Sequence, residues 1–362
     1  MTTLKKRLRQ RIEAAGPLSI AEFMEAALGD PVSGYYATRD PFGAEGDFTT
    51  APEISQVFGE LIGAWCGDVW DRMGRPERFI LAELGPGRGT LMADLLRALR
   101  GLPEFGRAAS IHLVETSPHL RGLQAQALAG YAPVWHERID DLPDGPLIAI
   151  GNEFLDALPI RQFVRMGAVW LERRVGVSPE GDGPEGDGLA FTLTEGQPMQ
   201  PRSAPSGAVF EECAAAADIA SALGRRVARS GGAVLFIDYG YYPHGFGDTL
   251  QAVRRHRPTG VLDEPGEADL TAHVDFSAIA EAARAGGARV WGPAGQGEFL
   301  SRLGLGLRLE ALLRRAASPS QKEDIASGCR RLIDPAEMGT LFKVLAIAGP
   351  ALPEPAGFSG ET

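Results

Sequence analysis

Apolar and polar positions follow two rhythms along this chain. Over residues 1–75 the rhythm is helical. Leu4, Leu8 and Ile12 recur at i, i+4 and i+8, which places them on one helix face. Ser19 stands three residues before Glu22, ahead of an apolar-periodic stretch. That is capping-box spacing, so a second helix is predicted to start there. A loop containing Gly and Pro runs from Gly29 to about Ala51, and EISQVFGELIGAWCGDVWDRMG predicts an amphipathic helix ending at Gly74.

From Phe79 the rhythm changes. Phe79–Leu84 is a short apolar run stopped by Gly85, which suits a strand buried on both faces. A helix over Thr90–Arg100, a strand over Ile111–Glu115, a helix over Pro118–Leu128 and strands at Val134–His136 and Leu147–Ile150 follow. This alternation predicts a parallel sheet with helices on both faces, a doubly wound α/β fold. Residues 160–195 depart from it. Gln162–Val164, Val169–Val177 and Leu189–Thr194 predict antiparallel strands, with the acidic tract PEGDGPEGDG as a hairpin loop. Helix is predicted over 208–229, and Ala233–Asp238 is another parallel-type strand. An irregular insertion over 241–270 precedes a helix near 276–286, a strand at Arg289–Trp291, helices to about 333 and a last strand, Leu341–Ile347. The expected division is an N-terminal helical cap, 1–75, and a core, 76–362, with insertions near 160–207 and 241–275 that shape a substrate region.

Composition narrows the function. The 362 residues are 44% hydrophobic and 23% charged, enough for a proper core. The net charge of -11 argues against nucleic acid as the main partner and is compatible with a cationic substrate. Cys66, Cys213 and Cys329 are widely spaced, with no CxxC and no Cys/His cluster, so neither a disulfide framework nor a metal site is expected. No run of 18 apolar residues predicts a membrane span. The basic N-terminus lacks the apolar stretch of a secretory signal. It is read as the first folded helix, although it mimics a mitochondrial presequence. The expected location is the cytoplasm for a bacterial chain and the mitochondrial matrix for a eukaryotic one.

The first strand ends in Glu83-Leu84-Gly85-Pro86-Gly87-Arg88-Gly89-Thr90 and opens a helix. A dinucleotide loop would read G-x-G-x-x-G, and the third Gly is missing at that spacing. Glu83 is a poor neighbour for pyrophosphate but suits the sulfonium and ammonium of S-adenosylmethionine. Gly85, Gly87 and Gly89 let the backbone approach that ligand, and Glu115 closes the second strand as an acceptor for ribose hydroxyls. Asp140, after the third strand, can accept from the adenine amine, although a turn or cap explains it equally well. Asn152 closes the fourth strand, where open α/β sheets bind ligands. If a helix starts after it, Glu153 and Asp156 share one face and can clamp a guanidinium. The same acids also suit a helix start capped by Asn152.

These residues resemble the MidA family of mitochondrial respiratory complex I assembly methyltransferases and their bacterial relatives. The matching blocks are Gly46–Glu60, Glu83–Thr90, Asn152–Pro159, Asp238–Gly240, Thr271–Phe276 and Gly339–Leu345, in order along nearly the whole chain. The resemblance implies a class I methyltransferase fold: a Rossmann-like doubly wound sheet with an N-terminal helical cap and an inserted β-hairpin and helical substrate region. It implies S-adenosyl-L-methionine as cofactor and protein arginine methylation. The expected acceptor is an arginine of a complex I (NADH:quinone oxidoreductase) subunit of the ~49 kDa type, an inference of function by analogy. Glu153, Asp156 and His273 are then the expected catalytic residues. Thr49, Thr50, Glu53 and Gln56, from the first block, can close over the cofactor or receive the arginine. A small-molecule methyltransferase and a non-catalytic cofactor-binding assembly factor share most of these features, and a nicotinamide dehydrogenase is a more distant reading.

Overall fold

A computed structural model describes residues 3–38, 50–178, 188–199 and 202–359. Contacts divide the chain into two units that interleave along the sequence. One comprises residues 1–48, 156–216 and 244–273, and the other residues 49–155, 217–243 and 274–362. This grouping differs from a division at residue 75. The long helix over 56–72 groups with the parallel sheet, because its apolar residues Val57, Phe58, Ile62, Trp65 and Val69 belong to that sheet's core.

The second unit carries the sheet that the alternation predicts. Its main strands are β1 (Phe79–Leu84), β2 (Ala109–Val114), β3 (Val134–His136), β4 (Leu147–Asn152), β5 (Gly232–Tyr241), β6 (Arg289–Gly295) and β7 (Phe342–Ala348). Their order is β3-β2-β1-β4-β5-β7-β6. Strands β1 to β5 pair in parallel, and β7 runs antiparallel to both β5 and β6. The chain goes one way from β1 to β2 and β3, then returns to the other side for β4 and β5. The order therefore reverses between β1 and β4, and ligands bind beyond the strand ends at such a point. Every residue of β1 and β4 is buried, which explains runs of apolar residues without alternation.

Helices α1 (Gln56–Arg72), α2 (Thr90–Ala98) and α3 (Pro118–Ala127) flank this sheet. The α1–α2 contact depends on a small residue at its centre. A side chain at Gly63 would bring a carbon within 2.9 Å of the Leu95 carbonyl oxygen. Such contacts let two helix backbones approach closely without leaving a void.

Strands β2 and β3 also carry a polar chain whose middle member, His112, is buried. Ser110 Oγ and His112 Nε2 lie 2.8 Å apart, and His112 Nδ1 lies 2.8 Å from His136 Nε2. Burial, then His136 and Arg226, push the His112 pKa from 6.5 down to about 4. The folded chain thus keeps His112 neutral where the unfolded chain is protonated. His112 favours folding above about pH 6.5, and that contribution is lost as pH falls toward about 4. The denaturation midpoint should fall over this window, and less steeply in His112→Gln. Parallel slopes for the two chains would show that His112 is not responsible.

The first unit is built on antiparallel sheet. Strands Leu18–Ser19, Val169–Val177, Arg161–Met166 and Val209–Glu212 lie in that order, and Leu189–Glu195 pairs with Val169–Val177. The helix Thr3–Ala15 buries Leu4, Leu8 and Ile12, as their spacing predicts. The capping box forms at the next helix: the Glu22 N–H donates to Ser19 Oγ at 3.1 Å, and the Ser19 N–H donates to Glu22 Oε2 at 2.8 Å. Phe23, Tyr35, Ile160, Val175 and Leu270 join the same core. Two expectations are corrected. The start of the helix predicted over 208–229 is the strand Val209–Glu212, and helix begins at Ala214. The insertion over 241–270 contains a three-stranded sheet of Gln251–Arg254, Arg257–Thr259 and Asp269–Thr271. These strands are too short, and too rich in Arg and Pro, to show alternation. Residues 179–187 of the acidic tract lie outside the described residues.

Candidate functional site

The Gly-rich loop follows β1 and opens α2. Gly85, Gly87 and Gly89 have φ of +62°, +53° and +83°, the left-handed region that side chains rarely adopt. A side chain at Gly85 would also meet the Phe154 ring at 3.0 Å. The loop is therefore bare backbone at the point where the strand order reverses. Glu83 lies just before the loop and is 3% exposed. The Met92 backbone N–H, in the first turn of α2, donates to its carboxylate, while Oε2 has no partner. Burial pushes the Glu83 pKa from 4.5 up to about 8. Removing a carboxylate from water without a matching charge favours its neutral form.

Glu115 follows β2 and is buried. Its Oε1 accepts from the Ser117 N–H at 2.8 Å, and its Oε2 accepts from Gln124 Nε2 at 3.2 Å. Burial raises its pKa, and these two bonds oppose the rise. Arg121 donates twice to the Glu115 carbonyl oxygen, at 2.8 and 2.5 Å, and once to the His136 carbonyl oxygen at 3.3 Å. The end of β2 is thus tied to the end of β3. Gln124, fully buried on α3, connects this corner to the Gly-rich loop. Its Nε2 also donates to the Gly87 carbonyl at 2.7 Å, and its Oε1 accepts from Trp135 Nε1 at 2.8 Å. Sequence reasoning missed Gln124. The available signal was a polar residue one helical turn beyond the buried Leu120. Asp140 is exposed, in a short turn after β3, 3.6 Å from Arg138 Nη2.

At the end of β4 the expected helix does not form. Asn152 is the last strand residue, and Glu153 follows with φ +50°, uncommon for a residue with a side chain. The cause is Asp238, fully buried on β5. Its Oδ2 accepts from the Phe154 and Leu155 N–H groups at 3.1 and 2.8 Å, which holds the segment as a turn. Glu153 and Asp156 therefore do not share a helical face, and Asn152 caps no helix. Asn152 Nδ2 instead donates to Glu153 Oε1 at 3.1 Å, while its buried Oδ1 has no partner.

Glu153 also fastens the first sequence block. Its Oε1 accepts from the Ala51 N–H at 3.2 Å, at the start of the short helix Ala51–Ile54. From that helix Glu53 accepts from Thr90 Oγ1 at 2.6 Å, where α2 begins. Glu53 thus lies beside the Gly-rich loop. Thr50 is buried, Gln56 is exposed, and Thr49 lies outside the described residues.

Asp156 and His273 group with the first unit. Asp156 is buried, and its carbonyl oxygen accepts from the Ala272 N–H at 3.0 Å. The neighbouring His273 N–H donates to Thr249 Oγ1 at 2.8 Å. Tyr36 donates to Asp269 Oδ1 at 3.1 Å, and burial, with Asp269 and Asp156 nearby, raises its phenol pKa well above the usual range. Among the described residues, no three His, Cys, Asp or Glu side chains are gathered to hold a metal ion.

The second unit's residues fit S-adenosylmethionine. Glu83 Oε2 and Asn152 Oδ1 are buried acceptors without partners, which a cation bearing N–H groups satisfies. The Glu115 carboxylate accepts from the Ser117 and Thr116 N–H groups and from Gln124, and an ionised carboxylate has about four lone-pair sites, which leaves room for a ribose hydroxyl.

Comparison with known proteins agrees. Residues 61–294 match the model of a family described as S-adenosyl-L-methionine-dependent methyltransferases. A mitochondrial protein from Drosophila melanogaster, named as a protein arginine methyltransferase NDUFAF7 homologue, is 38% identical, over 95% of this chain and 84% of its own. The Mus musculus protein arginine methyltransferase NDUFAF7 is 37% identical over 96% of this chain and 84% of its own. A crystal structure of a Burkholderia thailandensis protein bound to S-adenosyl-homocysteine superposes with TM-score 0.82 at 30% identity, covering 99% of this chain and 95% of that one. No helix among the described residues is long and apolar enough to cross a membrane. With the Gly-rich loop, the buried Glu115 and these relatives in agreement, the chain belongs to the S-adenosyl-L-methionine-dependent methyltransferase family that includes the NDUFAF7 proteins.

Proposed function

We propose that this methyltransferase acts on an arginine side chain of a protein, and that the protein is a subunit of respiratory complex I. The names of its 37–38% identical relatives support the reaction. The observation that carries the reading is Glu153, held at φ +50° just beyond β4 by bonds that fix both its backbone and its carboxylate. Strained backbone of this kind clusters at sites where a side chain must be aimed. The residues proposed for the cofactor are Glu83, Gly85, Gly87, Gly89, Glu115, Asp140 and Asn152. Glu53, bonded to Thr90, supports a place for the first block beside the Gly-rich loop.

Bound S-adenosylmethionine supplies an electrophilic methyl group. The chain must bring a guanidinium nitrogen to it in line and free that nitrogen's lone pair. In this reading Glu153 accepts N–H bonds from the guanidinium and fixes its plane, as a carboxylate does through charge-assisted pairs. As the new N–C bond would form, the methyl–sulfur bond would break and leave S-adenosyl-homocysteine; the nitrogen then sheds a proton, and a carboxylate holding that N–H takes it. His273 orients the acceptor from its own segment. The first unit, with Asp156 and His273, is proposed as the acceptor-binding part.

The test is transfer from radiolabelled S-adenosylmethionine to recombinant complex I subunits. One labelled arginine is expected, located by mass spectrometry. Label in a small-molecule fraction alone, or no transfer by protein that binds the cofactor, overturns the reading.

A further inference from the structure

Asp156 and His273, the acceptor residues of the proposed function, are joined by a hydrogen-bond route to a buried carboxylate with no role assigned so far. Glu211, on the strand Val209–Glu212, is buried. Its Oε1 accepts from Gln162 Nε2 at 2.7 Å, the Thr249 N–H at 2.9 Å and the Leu250 N–H at 3.2 Å. Its Oε2 accepts from the Thr249 hydroxyl. Three of these donors come from one short segment, 249–250. The segment is tied again nearby: Gln162 Nε2 also reaches Asp248 Oδ1 at 3.0 Å, and Arg173 Nη1 donates to Asp248 Oδ2 at 2.7 Å.

The direction of the Thr249 bonds matters. Its single hydroxyl proton goes to Glu211. The oxygen lone pairs are therefore left to accept, and the His273 N–H donates to them at 2.8 Å. One residue back, the Ala272 N–H donates to the Asp156 carbonyl oxygen at 3.0 Å. The route Glu211–Thr249–His273–Ala272–Asp156 lies wholly within the first unit. A part-buried network whose buried carboxylate accepts four bonds holds one backbone arrangement against alternatives.

We propose that Glu211 and Thr249 are positioning residues for the acceptor: they set the backbone that aims Asp156 and His273, without touching substrate. The inference rests on the acceptor reading above. Small displacements of a positioned group cost rate steeply. Thr249 is the residue to change, because valine keeps the shape and removes the hydroxyl, while serine keeps the hydroxyl.

With the recombinant complex I subunit as acceptor, Thr249→Val should lower kcat about tenfold and leave the cofactor's KM unchanged. S-adenosyl-homocysteine affinity, read by calorimetry, should be unchanged. Thr249→Ser should restore turnover. Wild-type turnover in Thr249→Val overturns the inference. So does a failure of serine to rescue, or a loss that only tracks the folded fraction seen in melting curves. Asp156→Asn and His273→Ala are run alongside. Wild-type turnover in both removes the acceptor reading and the inference with it. Loss in both, with wild-type turnover in Thr249→Val, removes the inference alone.

Discussion

Glu153→Gln should reduce methyl transfer about a hundredfold or more while the protein still binds S-adenosyl-homocysteine. The substitution keeps the shape and one acceptor oxygen. The Ala51 N–H and Asn152 Nδ2 can both still donate to that oxygen, so the local fold survives. The negative charge and the capacity to take a proton are lost. A guanidinium facing an amide has lost its charge-assisted partner and meets N–H groups in place of one oxygen. Single-turnover rates with saturating cofactor measure the chemistry, and calorimetry with S-adenosyl-homocysteine measures the binding. Equal losses in both would move Glu153 from the acceptor to the cofactor.

Glu115→Ala should weaken S-adenosyl-homocysteine binding by about 3 kcal/mol, roughly a hundredfold, the worth of one to two hydrogen bonds to a charged group. Part of this loss comes from the free protein, because Ser117 and Gln124 lose their acceptor. Glu115→Gln narrows the comparison, since it keeps one acceptor oxygen and loses the charge and the second acceptor. Because burial raises the Glu115 pKa, the carboxylate takes up a proton at higher pH than an ordinary glutamate. The favoured ligand contact is with the ionised form, so affinity should fall on acidification in the wild type and stay flatter in Glu115→Gln. Unchanged affinity in both variants would place the ribose elsewhere.

Much of this was legible in the residues because it is local. The helix face of Leu4, Leu8 and Ile12, the Ser19–Glu22 capping box, the apolar run of β1 and the glycines after it each depend on neighbours a few positions away. What was not legible depends on distant partners. The segment after Asn152 has the composition of a helix start, yet Asp238, 84 residues beyond Phe154, takes its N–H groups and makes a turn. Gln124 is unremarkable on a helix until Gly87, Glu115 and Trp135 converge on its amide. The strands over 251–271 carry too few residues for a period to show. The helix over 56–72 reads as part of an N-terminal helical run, because nothing local says that its apolar face belongs to a sheet formed later in the chain.

The interleaving of the two units has a consequence for synthesis. The core that shelters Leu4, Phe23 and Tyr35 also requires Val175, Ala252, Leu270 and Ala272. At ribosomal speed the wait between Tyr35 and Ala272 is roughly ten to fifty seconds. Throughout that time the first two helices are already made, and part of the apolar surface meant to cover them does not yet exist. The nascent N-terminus is therefore a natural client for a chaperone that binds exposed apolar helices.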